Sequence, residues 1–194
     1  RDSISIGVPM PAFEAAAKEL CPGQPMQLRS TAGNYANYIW DFGDGSISRT
    51  AADSGTHPYM TPGSYTPRLL VTDSNGCKAA VTLKDPIIIR PLPQVTLTPV
   101  NPQLCAGTSV QLQATGGVSY NWSPASGLSN ASIANPVAKP GVTTTYTLIV
   151  KDAIGCSAEA RQTITVVLPS TMQVTADKVI CAGESVSLVA SGMN

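Results

Sequence analysis

Three copies of one short segment constrain what this chain can fold into: Cys21-Pro-Gly-Gln-Pro-Met-Gln-Leu28, Cys105-Ala-Gly-Thr-Ser-Val-Gln-Leu112 and Cys181-Ala-Gly-Glu-Ser-Val-Ser-Leu188. Each opens on a cysteine with a glycine two residues on. Apolar side chains then recur at every second position: Met26 and Leu28, Val110 and Leu112, Val186 and Leu188. That period belongs to a strand with one face in a core, so each copy reads as a turn followed by a strand. The chain is therefore a tandem β repeat. An apolar residue and a proline stand at the same interval before each cysteine, as Val8-Pro9, Leu92-Pro93 and Leu168-Pro169, and mark the joints. These marks divide the chain into the end strand of a preceding repeat or linker over 1–9, a complete repeat over 10–91, a second over 92–168, and the start of a third, truncated one over 169–194. Both ends then read as cuts through a longer protein.

Within the first repeat, strands are predicted near 25–31, 36–42, 65–72 and 78–83, with shorter ones between 46 and 60. In the second they fall near 94–98, 109–114, 118–122, 143–151 and 159–167, separated by Gly, Pro, Asn and Ser turns. One segment conflicts with this pattern. Residues 12–20, Ala-Phe-Glu-Ala-Ala-Ala-Lys-Glu-Leu, are good helix formers taken alone, whereas the matching stretches at Val95-Thr-Leu97 and Met172-Gln-Val174 are strand-like. Nine residues make a marginal helix, so the repeat decides for strand. Many short strands within about 80 residues predict an all-β fold of tandem β-sandwiches. Twelve basic residues balance twelve acidic ones in a chain only 12% charged, which argues against a nucleic-acid surface or a binder of anionic lipid. No apolar run approaches the ~20 residues that a spanning helix needs, so this stretch carries no membrane insertion.

The cysteines follow the repeat. Cys21 and Cys105 lead their copies, while Cys77 and Cys156 each close an Asp-x-x-Gly-Cys turn that begins at Asp73 or Asp152. Cys181 is left over, as truncation of a two-cysteine repeat predicts. The expectation is two disulfides within repeats, Cys21 with Cys77 and Cys105 with Cys156, and hence an oxidising compartment. Such a staple would add about 4 kcal/mol to a unit too small for a deep stability margin. Buried free thiols are the alternative. Zinc is disfavoured because no Cys-x-x-Cys pair or Cys/His cluster exists.

In the first repeat, Tyr38-Ile-Trp-Asp-Phe-Gly-Asp-Gly45 precedes His57-Pro-Tyr-Met-Thr-Pro-Gly-Ser-Tyr65 and Leu69-Leu-Val-Thr-Asp-Ser-Asn-Gly76. In order and spacing this resembles a PKD domain. The resemblance implies an immunoglobulin-like sandwich of extracellular proteins, used as spacer, adhesion module or accessory domain of secreted hydrolases. The second repeat departs from the pattern, with Tyr120-Asn-Trp-Ser-Pro-Ala-Ser-Gly-Leu128 in place of the Asp-Gly turn. It is similar to the related Ig-like repeats of large secreted and cell-surface proteins of Bacteroidetes, commonly exported by type IX secretion.

Trp40 and Trp122 each follow a tyrosine by two positions, Tyr38 and Tyr120, so each pair shares one strand face. Core packing outweighs sugar stacking for these rings. Tyr65 and Tyr146 are assigned to the entry of the penultimate strand as structural residues. His57, the one histidine, is assigned a hydrogen bond that holds a strand edge to the Trp-Asp-Phe turn rather than a catalytic role. Asp41, Asp44, Asp73 and Asn75 are weak calcium candidates, since Asx turns need the same residue types; no other cofactor is expected. No nucleophile, base and acid converge, so catalysis is not expected. The first functional reading is a structural spacer or adhesion array, secreted or on the cell surface, whose partners are neighbouring repeats and, as candidates, an extracellular polysaccharide or surface protein. The alternative is an accessory carbohydrate- or protein-binding region of a secreted polysaccharide-degrading or proteolytic enzyme.

Overall fold

The computed structural model describes residues 10–168 and, beyond them, 173–174, 182, 185, 187 and 190–191. The leading copies at Cys21 and Cys105 lie in the first stretch; the strand expected over 1–8 and most of the third repeat, Cys181 included, lie outside the described residues. The chain forms two compact units. One is built on the residues up to Gln94 with Gly116–Val118 and Val150–Ala158, the other on Val95–Thr115, Ser119–Ile149 and residues from Glu159 on.

The strands running up to Gln94 are β1 (Phe13–Ala15), β2 (Glu19–Leu20), β3 (Pro25–Ser30), β4 (Asn37–Asp41), β5 (Ile47–Thr50), β6 (Ser54–Pro58), β7 (Gly63–Tyr65), β8 (Arg68–Thr72), β9 (Lys78–Thr82) and β10 (Ile87–Ile89). They form sheets in the orders β1-β3-β6, β5-β4-β8-β9 and β2-β10-β7. The alternating faces supply one core: Met26 and Leu28 from β3, Tyr38 and Trp40 from β4, Leu69 and Val71 from β8, and Ile87 and Ile89 from β10. Each such aliphatic side chain contributes roughly 1.5–3 kcal/mol by leaving water. The helix-forming segment at 12–20 is strand, with β1 pairing antiparallel to β3 and β2 parallel to β10.

Two details depart from the strand boundaries read in the sequence. The stretch 65–72 is not one strand, because β7 joins β10 while β8 joins β4 and β9. The break falls at Thr66-Pro67, where proline offers no N–H to a ladder. Strand β10 was not foreseen, although three consecutive isoleucines after Pro86 are a strong β signal.

The second repeat contains β11 (Thr96–Thr98), β12 (Gln103–Cys105), β13 (Val110–Gln111), β14 (Gln113–Thr115), β15 (Ser119–Ser123), β16 (Val137–Ala138), β17 (Thr144–Lys151) and β18 (Ser157–Val167). A four-stranded sheet runs β12-β18-β17-β15, and two ribbons pair β11 with β14 and β13 with β16. The strand expected over 109–114 is interrupted at Leu112, whose N–H donates to the Pro136 carbonyl at 2.9 Å as the chain passes from one ribbon to the other. Farther on, β19 (Gln173–Val174) pairs antiparallel with β20 (Ala190–Ser191). Among the described residues there is no helix.

The disulfide pairing expected from spacing is corrected. Cys21 bonds Cys156, with Cα atoms 5.4 Å apart, and Cys77 and Cys105 are free thiols. Strand register explains why. Cys21 follows β2 at the end where β3 and β6 pair as Pro25 with Pro58, and Gly23 N–H donates to the Tyr59 carbonyl at 2.8 Å. Tyr59 in turn reaches Phe42, just past the far end of β4. Cys77 lies at the β8–β9 turn, beside Thr72, which pairs with Asn37 at the start of β4. The length of β4, roughly 15 Å, separates the two ends, whereas a disulfide needs Cα atoms within about 7 Å. Likewise Cys105 pairs with Val167, the last residue of β18, while Cys156 precedes its first. An eleven-residue strand, about 35 Å long, keeps those two apart.

Candidate functional site

Of the residues singled out in the first repeat, Asp41, Asp44, His57 and Tyr65 gather at the end of the sandwich where β4 turns into β5. Gly43 and Gly45 adopt φ of 79° and 94°, a region that L side chains avoid, so the Phe-Gly-Asp-Gly run can reverse the chain tightly. Asp41 Oδ1 accepts the Gly43 N–H at 3.0 Å and Asp44 Oδ1 the Ser46 N–H at 2.9 Å. The ring of His57 donates from Nε2 to Asp44 Oδ2 at 2.6 Å and stacks on Phe42 with centroids 4.3 Å apart. Tyr59 meets His57 edge-on and stacks on Tyr65 at 4.5 Å, while its hydroxyl donates to the Phe42 carbonyl at 2.8 Å. A continuous aromatic column, Phe42-His57-Tyr59-Tyr65, thus closes this end of the core.

Electrostatics support that closure. Burial pushes the Asp44 carboxyl up, but the hydrogen bonds from His57 and Ser46 outweigh it and hold the group below the usual carboxylate range. Burial, followed by the nearby Asp44 charge, raises the Tyr59 phenol far above its ordinary value, so it stays protonated as a donor. Tyr59 is fully buried, whereas Tyr65 is half-buried at the edge. The signal for Tyr59 in the sequence is the His-x-Tyr spacing, because two residues along an extended chain place both rings on one face.

In the second repeat, the indole of Trp122 donates to the Ile133 carbonyl at 2.9 Å, and the buried Tyr146 hydroxyl donates to Ser126 at 2.8 Å. Tyr146 is therefore the counterpart of Tyr59, a buried phenol holding the segment that follows the tryptophan strand. Tyr146 is the third residue of β17, whereas Tyr65 ends β7 and does not enter β8, which corrects the strand-entry place expected for it.

The four calcium candidates do not converge. Asp41 and Asp44 lie at the β4–β5 turn, while Asp73 and Asn75 lie at the β8–β9 turn on the opposite end of the strands. Asp73 Oδ1 already accepts the N–H groups of Asn75 and Cys77, at 2.9 and 2.8 Å. Among the described residues, no cluster of three metal-ligating side chains occurs. All ten aromatic residues lie in the described stretch; seven are buried, and Phe13, Tyr65 and Tyr120 are half-buried. A depression of about 460 Å³ on β4, β5 and β8 is lined by Ile39, Leu70, Arg49 and Lys78 among others. It holds no carboxylate, thiol or histidine.

Comparison with known proteins accords with this construction. The family model described as PKD domain matches residues 8–89. The pre-pro-metalloprotease PrtV of Vibrio cholerae is 37% identical over 68 residues, which are 35% of this chain and 7% of that protein. Among solved structures, the PKD1 domain of the same metalloprotease is 29% identical, with 42% of this chain and 95% of that one covered and a TM-score of 0.34. A structure of carbohydrate-binding modules of the β-sandwich superfamily is 19% identical, covering 75% of this chain and 55% of its own at a TM-score of 0.40.

Proposed function

We propose that this region is a non-catalytic spacer or adhesion segment of a larger secreted or cell-surface protein. One observation carries the reading: the residues with chemical potential in a PKD pattern, Asp41, Asp44, His57, Tyr59 and Trp40, are all engaged in closing the fold. Each of these side chains is thereby committed to a contact within the fold. A disulfide, together with the extracellular habit of PKD domains, supports an oxidising location. Export by a type IX route rests only on the resemblance of the second repeat and is part of the proposal.

The match to a metalloprotease supports a variant of this reading, in which the segment accompanies a protease as an accessory domain. That seven of the ten aromatic residues are buried and the other three half-buried speaks against a carbohydrate-stacking surface. The deciding experiment is a pull-down of the folded chain on cellulose, chitin, xylan and matrix proteins, with and without calcium. The expected outcome is no saturable polysaccharide binding. Saturable binding that survives Arg49→Ala and Lys78→Ala would replace the spacer reading by a recognition surface elsewhere. Binding lost with those variants would place recognition on the outer face of β4 and β5.

A further inference from the structure

The bonded and the free cysteines occupy the same two kinds of place. Cys21 follows, and Cys105 ends, a short strand paired parallel to the last strand of its repeat: Leu20 lies beside Ile89, and Leu104 beside Val166. Each cysteine carbonyl then accepts an N–H three residues on, Gln24 at 3.2 Å and Thr108 at 3.1 Å, around glycines at φ of 80° and 84°. The turns at Cys77 and Cys156 match as closely. Asp73 and Asp152 donate their N–H groups to the cysteine carbonyls at 3.0 Å in both cases, and accept the cysteine N–H groups at 2.8 and 2.9 Å.

What differs is cover. Cys21 and Cys156, which bond each other, are 7% and 1% exposed. Cys77 is half-buried and Cys105 exposed. Beside the bonded pair, Ala153 and Ile154 of the Asp152 turn line one depression with Arg90 and Pro91, the residues that follow β10. At the end of β18 the equivalent ground, Val167 and Leu168, is apolar and 48% and 73% exposed.

We infer that the Cys21–Cys156 bond is one rung of a repeating pattern, in which the leading cysteine of one repeat bonds the turn cysteine of the repeat that follows it. Cys105 and Cys77 are then the two open halves of the same bond. Cys105, with Val167 and Leu168, receives an Asp-x-x-Gly-Cys turn from another repeat of this type, and Cys77 presents such a turn to another leading cysteine. A second copy of this chain carries both halves, so it is the partner that the chemistry fits. The step balances with a disulfide oxidant such as oxidised glutathione: the Cys105 thiolate attacks it and expels one reduced glutathione, and the Cys77 thiolate of the second copy then displaces the other. Two thiols give up two protons and two electrons, and one glutathione disulfide becomes two thiols. This pattern does not depend on whether the region also binds a matrix partner.

The test uses the full chain carrying Cys181→Ser, oxidised at high protein concentration with oxidised glutathione and followed by non-reducing electrophoresis and peptide mass mapping. The expected products are dimers and longer chains linked through Cys105 and Cys77. Adding Cys77→Ser or Cys105→Ser should each leave monomer only, while an equimolar mixture of those two variants should recover a dimer and nothing longer. A dimer formed by either variant alone, through two like cysteines, overturns the inference. So does a parent chain that ends as glutathionylated monomer, or one in which Cys77 or Cys105 displaces a member of the Cys21–Cys156 bond.

Discussion

Trp40 and Trp122 stand at the same place in their repeats and meet different surroundings. Trp40 is fully buried, lies edge-on to Phe13 at 5.4 Å, and its indole N–H has no acceptor. Its strand neighbour β5 pairs with it in a regular ladder, and the side-chain-free Gly55 of β6 lies against the ring. Trp122 is equally buried, but the chain beyond it runs through an irregular segment whose Ala131 and Ile133 carbonyls accept its backbone and indole N–H groups, at 2.8 and 2.9 Å. The apolar body of the residue is used identically in both repeats, and its polar handle is answered in only one. A core position is thus set by strand alternation, whereas the edge that frames it is free to be a hairpin or a loop.

The largest expected effect concerns what the two repeats share. Replacing Cys21 and Cys156 together by serine removes a closure over 135 residues, worth about 5 kcal/mol in the chain-entropy model, and should lower the thermal midpoint markedly. Cys77→Ser and Cys105→Ser should each stay within about 0.5 kcal/mol of the parent. If Cys77→Ser instead reproduced the loss, bonding within repeats would be restored.

Next in size is Gly55→Ala. A Cβ there would stand 2.9 Å from the Trp40 ring, and the resulting overpacking should cost about 1–3 kcal/mol, read as faster hydrogen exchange in β4 with β15 unchanged. Asp44→Asn should cost about 1–2 kcal/mol near neutral pH by weakening a charge-assisted hydrogen bond. Because folding lowers the Asp44 pKa, that contribution is fully present above the ordinary carboxylate value of 3.8 and is lost as pH falls through the lower folded value. Melting curves of parent and variant should accordingly converge in acid and separate above about pH 4. The smallest effect tests the handle itself. Trp122→Phe should cost about 1 kcal/mol more than Trp40→Phe, since only the former strands a carbonyl, at Ile133. Equal losses, measured by exchange in β15 and β4, would mean that the Ile133 bond contributes nothing net.

Alternation made the all-β class and the buried faces of β3 and β4 legible, because a period of two fixes which side chains share a face. The strand character of residues 12–20 was legible only through the repeat, since local helix preference pointed the other way. Cysteine partners were not legible. Spacing along the chain does not say at which end of a strand a residue finishes, and Cys77 and Cys105 each finish at the far end from their nearest candidates. The break at Thr66-Pro67 was marked by the proline, but only the pairing of Ile87 with Tyr65 shows that the chain changes sheets there. The partnership of His57 with Asp44 needed the fold as well, because β5 and the turn into β6 intervene between them.

The parallel pairing of β2 with β10, and of β12 with β18, has a mechanical meaning. In each repeat an early strand and the last strand run the same way side by side, joined by Ile88 to Lys18 and Arg90 to Leu20 at 2.8 and 2.9 Å, or by Thr165 to Pro102 and Ala106 to Val167 at 3.0 Å. The Arg90–Glu19 ion pair spans the first of these seams. Tension applied through the two ends of such a repeat would slide the strands past each other, loading every bond in the seam at once. A peeling load would open them singly. With the Cys21–Cys156 bond removed by Cys21→Ser and Cys156→Ser, so that residues 22–155 carry the load, force spectroscopy on tandem copies should record one abrupt rupture per repeat, and Glu19→Ala should lower the rupture force of the first repeat without moving that of the second.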